Sequence, residues 1–311
     1  MDFYFSIWNH HKNSREIILD IAEPVIAGLR DIGHNVELGD MPPRRHVMNI
    51  VVENFHYRRV AAQVRPFDFV LVATERLDGD GFNGERGTHW RKRWANFPRV
   101  AREAAAIWAV GDFNAAGYEA FAPTAQITLG WSPRLEAVTR AEPPRFDICA
   151  YGNMTGEARR ATIKTLSSSL RVGTVDLATK AERDRLLSQS LFSYGFRPNA
   201  EMACASVSRI VSSLRLGIPV IQERVQMPTP LVEALEIVEG PEELLARWDE
   251  LRANRASILA RQLEAWRRIP ASKVMSDALA VLRPKPQRFW RTVEQILRAS
   301  IPNRGYVQLA R

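Results

Sequence analysis

Two charged residues stand where an ordinary α/β unit needs none. In the stretch SVSRIVSSLRLGIPVIQE, Arg209 falls on the first turn of a predicted helix and Glu223 closes the buried strand that follows. A guanidinium there can hold an anion, and a carboxylate at a strand end can accept hydrogen bonds from hydroxyls; the plainer alternatives are a helix residue bonded to an amide and a strand cap. A second group lies in GNMTGEARRATIKTL, where Gly152 and Asn153 open a loop into a helix. Its N-terminal amides, with Arg159 or Arg160, could cradle a phosphate. The G-x-G-x-x-G spacing of dinucleotide sites is missing. His10 and His11 directly follow the first predicted strand, which makes them either a cleft-facing base or a pair of solvated loop histidines. Asp78 and Asp80 form a D-x-D in LDGDGFNGE, yet they lie several residues past their strand, and Phe82 sits where a calcium loop needs an oxygen. A glycine-rich surface turn is the reading there, and no metal site is expected.

These residues need a scaffold. FYFSIWN reads as a first strand, followed by the helix SREIILDIAEPVIAGLRDIG, whose Ile17, Ile18, Ile21, Val25, Leu29 and Ile32 recur near the 3.6 period. Pro24 is expected to kink it or mark a second start. HNVELGD and MNIVVEN read as strands, a helix begins near Tyr57, and FDFVLVAT is the continuous apolar run of a strand buried on both faces of a parallel sheet. A glycine-rich loop, a helix around RVAREAA and the strand AIWAVGD follow. Pro143 and Pro144 in RAEPPRFDICAYG mark a domain boundary. Beyond it come the strands RVGTVDL and LFSYGF, the helix KAERDRLLSQS, and the helix and strand that carry Arg209 and Glu223. Repeated β-α-β units imply doubly wound sheets, with ligands at the carboxyl ends of the strands.

Composition narrows the partners. With 311 residues, 46% of them apolar, the chain can build one large domain or two medium ones. Cys149 and Cys204 sit in apolar surroundings without partners at metal-ligand spacing, which argues against a disulfide scaffold or a zinc site and fits a reducing cytoplasm. No apolar run approaches the ~20 residues that span a bilayer. Lys and Arg number 43 against 35 Asp and Glu, giving +8 and a pI near 9.9, so anionic partners are favoured. Without an RNP signature, zinc finger or basic heptad array, nucleic acid ranks behind phosphorylated small molecules and acidic lipid surfaces.

The order YGNMTGEARRATIKTL, ERDRLLSQSLFSYGFRPN, SRIVSSLRLGIPVIQE resembles the C-terminal domain of GT-B-type glycosyltransferases, particularly bacterial ones. The likeness covers the second half of the chain; the first half matches in architecture. It implies an α/β protein of two Rossmann-like domains facing a cleft, with an acceptor domain over 1–142, a nucleotide-sugar domain over 143–275, and a helical tail over 276–311 that crosses back to the first domain. Sugar would pass from a nucleotide-diphosphate donor to a glycan, lipid-linked or protein acceptor, with no cofactor or metal required. The donor contacts implied are Gly152, Asn153, Arg159, Arg160, Tyr194, Phe196, Arg209 and Glu223, and His10 or His11 would serve as base, with Arg209 facing the leaving group. Where many members carry a glutamate eight residues before the second one, this chain has Arg215; where others carry an acid three before the R-I pair, it has Ser206. A non-catalytic nucleotide-sugar or partner-binding module of the same fold is the alternative. The protein is expected in the cytoplasm, either free or peripheral at the inner membrane face through weak attraction to an anionic surface. In the tail, Phe289, Trp290, Val293, Ile296 and Leu297 share one helical face flanked by Arg288, Arg291 and Arg298, a pattern for packing on the first domain or for an interfacial helix.

Overall fold

The computed structural model describes residues 1–10, 12–79, 81–82, 87–111, 115–135, 144–152, 156–176, 178–196, 205–225 and 230–283. His11, Asp80, Asn153, Cys204 and the aromatic tail helix expected around Trp290 lie outside them. The strands are β1 (Asp2–Ser6), β2 (Asn35–Gly39), β3 (Met48–Val52), β4 (Phe69–Ala73), β5 (Leu77–Asp78), β6 (Gly81–Phe82), β7 (Ala106–Val110), β8 (Thr124–Ile127), β9 (Phe146–Tyr151), β10 (Val172–Val175), β11 (Ser190–Gly195), β12 (Val220–Glu223) and β13 (Glu236–Val238). The helices are α1 (Lys12–Asp31), α2 (Arg58–Val64), α3 (Thr88–Ala101), α4 (Ala115–Tyr118), α5 (Glu157–Ser167), α6 (Lys180–Ser188), α7 (Val207–Arg215), α8 (Pro230–Glu233), α9 (Pro241–Ala246), α10 (Trp248–Ala253), α11 (Arg255–Arg267) and α12 (Ala271–Ala280).

Two sheets result. The first has six strands in the order β2-β1-β3-β4-β7-β8 and the second five in the order β10-β9-β11-β12-β13, with parallel pairing throughout both. Central strands β4 (FVLVA) and β7 (AIWAV) are buried at every position, because helices cover both faces of a parallel sheet. Crossover helices return each strand to the same edge, so all carboxyl ends of a sheet emerge on one side. That side collects the residues with chemical potential.

Two expectations are corrected. Pro24 does not mark a second start: α1 is one helix from Lys12 to Asp31 with Pro24 inside it. The helix is held by its surroundings, since Ile18, Ile21, Ala22, Val25 and Leu29 are all buried in the core shared with the first sheet, α7 and α12. Tertiary packing there outweighs one missing N–H. The helix expected around RVAREAA lies mostly earlier, as α3, and ends at Ala101, so that strand β7 can begin at Ala106.

The chain returns to the first sheet through α12, which begins before residue 276. Gly130 and Gly28 allow this approach: a Cβ on Gly130 would lie 2.7 Å from Ala271 N and Ile269 O, and one on Gly28 would lie 2.6 Å from Ala271 O. Trp131 N donates to Ile269 O and Ala271 N to Trp131 O, both at 2.7 Å. Two indoles pin the crossing, with Trp266 Nε1 donating to Leu129 O at 3.0 Å and Trp108 Nε1 to Ala278 O at 3.1 Å.

Charged side chains join the halves elsewhere. Arg183 of α6 donates to Asp20 of α1 at 2.7 Å, and both side chains are 5% exposed. Arg215 of α7 reaches Glu23 at 2.5 Å and Asp184 at 2.8 Å, while Lys180 N donates to Glu16 Oε2 at 3.0 Å. Arg215, which stands at the position of the absent glutamate, therefore serves the junction.

Candidate functional site

The second sheet builds its site around one glycine. Gly152 follows β9 with φ of 115°, in the left-handed region open to glycine, and an added Cβ would lie 2.6 Å from Arg209 Nη2. No side chain fits without displacing the guanidinium. Arg209 is on the first turn of α7, which starts after Ser206. Its carbonyl accepts from Tyr151 Oη at 3.3 Å and from Ser213 Oγ at 2.8 Å, and its Cζ lies 5.9 Å from the Tyr151 ring centroid. Among the described residues its guanidinium has no hydrogen-bond or carboxylate partner. Burial depresses its pKa, opposed by the charges of Tyr151 and Asp20.

Around Arg209 stand the other sequence-derived candidates. Arg159, half-buried near the start of α5, is pushed below its ordinary pKa by burial first and by Arg209 second, with Glu223 opposing. Its Cζ lies 5.7 Å from the Phe196 ring, and Phe196 meets Tyr194 edge-on at 5.2 Å. Tyr194 Oη donates to Glu223 Oε1 at 2.9 Å and so fixes a carboxylate that is only 7% exposed. Gln222 braces the same strand ends, donating to Gly195 O at 3.0 Å. Tyr194, Phe196, Ser206, Arg209 and Gln222 line a common recess. Two guanidiniums that raise each other's energy, one of them without a carboxylate partner among the described residues, have the chemistry to hold an anion. Glycine 156, the cap of α5, carries no side chain, so the amides of the first turn have no side-chain cap.

On the first sheet, His10 lies just past β1 and is buried. Asn54 Nδ2 is 3.1 Å from its Nδ1, and the same nitrogen lies 3.4 Å from Asn9 O. A carbonyl oxygen accepts only from an N–H, so the amide nitrogen faces the ring, Nδ1 accepts, and the neutral imidazole carries its proton on Nε2. Beside it is a cluster of charged residues that no sequence motif marks. Glu53 accepts from Thr74 N at 2.8 Å on both oxygens, from Thr74 Oγ1 at 2.8 Å and from Glu75 N at 3.1 Å. Arg93 lies 3.5 Å from Glu53 Oε1, donates to Glu75 Oε1 at 2.9 Å, and faces the Trp90 ring at 4.7 Å. Burial pushes the Glu53 carboxyl up to about 8, against the pull of Arg93. Its one sequence signal was a carboxylate ending the buried run MNIVV.

No known family's sequence profile matches the chain, and no curated protein matches it in sequence. Solved structures do match. The β-glucosyltransferase of phage T4, bound to UDP and Mn2+, superposes with a TM-score of 0.51 over 90% of this chain and 98% of its own, at 9% identity. AviGT4, a glycosyltransferase involved in avilamycin A biosynthesis, gives 0.52 over 96% and 99%, at 10% identity. Both are two-sheet α/β proteins of GT-B type. The fold is GT-B.

Within the GT-B fold, Gly152, Arg159, Tyr194, Phe196, Arg209 and Glu223 come together at the carboxyl ends of β9, β11 and β12. Arg160, one position further round α5, is exposed. His10 belongs to the opposite half. Among the described residues no group of three or more His, Cys, Asp or Glu is placed to hold a metal ion, and no helix is long and apolar enough to cross a membrane.

Proposed function

We propose that the protein is a glycosyltransferase that moves a sugar from a nucleotide-diphosphate donor to a hydroxyl of a glycan, lipid-linked or protein acceptor. The observation that carries this reading is Arg209, a guanidinium without a partner among the described residues, seated against a glycine that admits no side chain and next to a second arginine. In the reaction the acceptor hydroxyl gives up its proton, its oxygen bonds to the anomeric carbon, and the bond from that carbon to the diphosphate breaks. Negative charge then grows on the diphosphate. Fixed cations in a half-buried site stabilise it without reorganisation. Arg209 and Arg159 take this role, with Arg160 at the rim. Glu223, held by Tyr194, accepts hydrogen bonds from ribose or sugar hydroxyls. Asn153 and His11, outside the described residues, remain candidates beside Gly152 and His10.

His10 is the candidate base. With Nδ1 accepting from Asn54, Nε2 holds the proton, so base catalysis at Nε2 requires the Asn54 amide to turn and the tautomer to change. Because guanidinium charge is already at the leaving-group side, nucleotide affinity is expected to survive removal of divalent metal by EDTA.

A second reading, a non-catalytic binding module, is favoured by Arg215, which stands where a glutamate is common and is engaged at the junction. Release of free sugar from the donor, even slow, separates the two. The proposal as a whole is tested by thermal melting with UDP, GDP, ADP and TDP sugars, since a ligand at 100 times its Kd adds about 2.7 kcal/mol of stability. Absence of a shift with all of them would remove it.

A further inference from the structure

The outer face of the first half carries positive charge that the fold itself does not use. Helices α2 and α3 lie side by side and run the same way. The His56 and His89 rings at their starts are 4.1 Å apart, Asn96 Nδ2 donates to Phe55 O at 2.8 Å, and beyond their ends Arg65 Nε donates to Glu103 Oε1 at 2.6 Å. Neither helix contains Asp or Glu. Ala61, Val64, Phe97 and Val100 turn into the core, while Arg58, Arg59, Arg91, Lys92 and Arg99 are exposed, and among the described residues none of these five meets a carboxylate. By contrast, Arg44 is paired with Glu37, Arg171 with Asp147 and Lys273 with Asp277. Arg58 and Arg59 also oppose the dipole of the helix they begin, so they do not serve α2. Tyr57, just before them, is 53% exposed, with Arg59 Cζ 5.6 Å from its ring centroid. The face begins beside the candidate base, since Asn54, which bonds His10, shortly precedes α2, and Arg93 of α3 donates to Glu53 O at 3.0 Å.

We propose that the face made by α2 and α3 binds an anionic glycan chain, the acceptor, through the repeated acidic groups of that chain. The inference rests on the reading of the protein as a glycosyltransferase. Arg91 and Arg99 are separated by roughly 12 Å of helix axis, and Arg58 and Arg59 stand on the neighbouring helix. Such a spread suits a row of charges better than a single anion. Tyr57 adds a flat ring for the apolar face of a sugar, and a chain lying here reaches the sheet end that holds His10. A bilayer surface fits less well, because α2 and α3 expose no large aliphatic side chain that could insert. Single-stranded nucleic acid also fits less well: its successive bases stack on successive rings, and Tyr57 is the one large aromatic exposed on this face among the described residues.

The test titrates an oligogalacturonate into the full chain by calorimetry at low salt. Dextran serves as the uncharged chain, and a thymidine oligonucleotide of equal charge and phosphatidylglycerol vesicles serve as the competing anions. The oligogalacturonate is expected to bind and dextran not to bind. Arg91→Glu/Lys92→Glu should weaken binding about tenfold or more with the melting temperature kept. Arg267→Glu/Arg268→Glu, on the exposed side of α11, changes the net charge equally and should weaken it less than about twofold. Equal losses in the two variants, no binding of the oligogalacturonate, or tighter binding of the oligonucleotide or the vesicles overturns the proposal. Chain binding is measured without nucleotide, so the two readings fail separately. A bound chain with no nucleoside diphosphate bound leaves the face and removes the donor reading; the opposite pattern removes the face alone.

Discussion

Gly152→Ala would test the glycine-arginine contact directly. Alanine at φ of 115° is strained, and its Cβ would meet Arg209 Nη2 at 2.6 Å, so the guanidinium must leave its seat. The variant is expected to be less stable by about 1–3 kcal/mol and to lose nucleotide affinity, as read by urea unfolding and calorimetry. Glu53 makes a prediction with a sign. Its native carboxyl keeps a proton up to about 8, whereas an unperturbed one loses it near 4.5. Between those values the native state binds more protons than the unfolded state. Its contribution to stability is therefore full below 4.5 and is lost as pH rises toward 8. Glu53→Gln should flatten that part of the stability-pH curve between pH 5 and 8; an unchanged slope would count against the buried neutral acid. The charge of Arg209 and the glycine after β9 were legible in the sequence, because an α/β unit has no need of either. The Glu53 cluster was not, since one carboxylate after an apolar run resembles any strand end.

At the level of elements, β4 and β7 were readable from continuous apolar runs, which parallel strands require and few other elements display. Helix α1 was readable by period but not in its continuity, because the packing that carries Pro24 comes from α7 and α12, far along the chain. The junction was invisible for the same reason. Asp20, Glu23, Arg183 and Arg215 look like ordinary helix-surface charges, and only tertiary structure joins Asp20 to a partner 163 residues away. The crossing by α12 offers the sharpest test at this scale. Trp266 is 2% exposed and donates to Leu129 O from the opposite half. Trp266→Ala is expected to cost about 3–5 kcal/mol in urea unfolding. A cost below about 1 kcal/mol, the range of surface substitutions, would mean the crossing does not hold the halves together.

For the molecule as a whole, a GT-B fold of two parallel sheets carries a net charge of +8, which brings a general attraction to anions. That attraction, about 1 kcal/mol for each basic side chain near an anionic surface, should give weak co-sedimentation with anionic liposomes that disappears in high salt. Salt-resistant sedimentation would instead call for an inserted apolar element. The central claim is narrower: the second-sheet half binds a nucleoside diphosphate through Arg209. Calorimetric titration of UDP, GDP, ADP and TDP into the wild-type protein and Arg209→Ala tests it most directly. The expected result is one-to-one binding of at least one nucleotide, weakened by roughly 1.5–3 kcal/mol in the variant, the scale of a charged hydrogen bond, with the melting temperature of the unliganded variant unchanged. Binding to none of the four, or equal binding by wild type and variant, would contradict it.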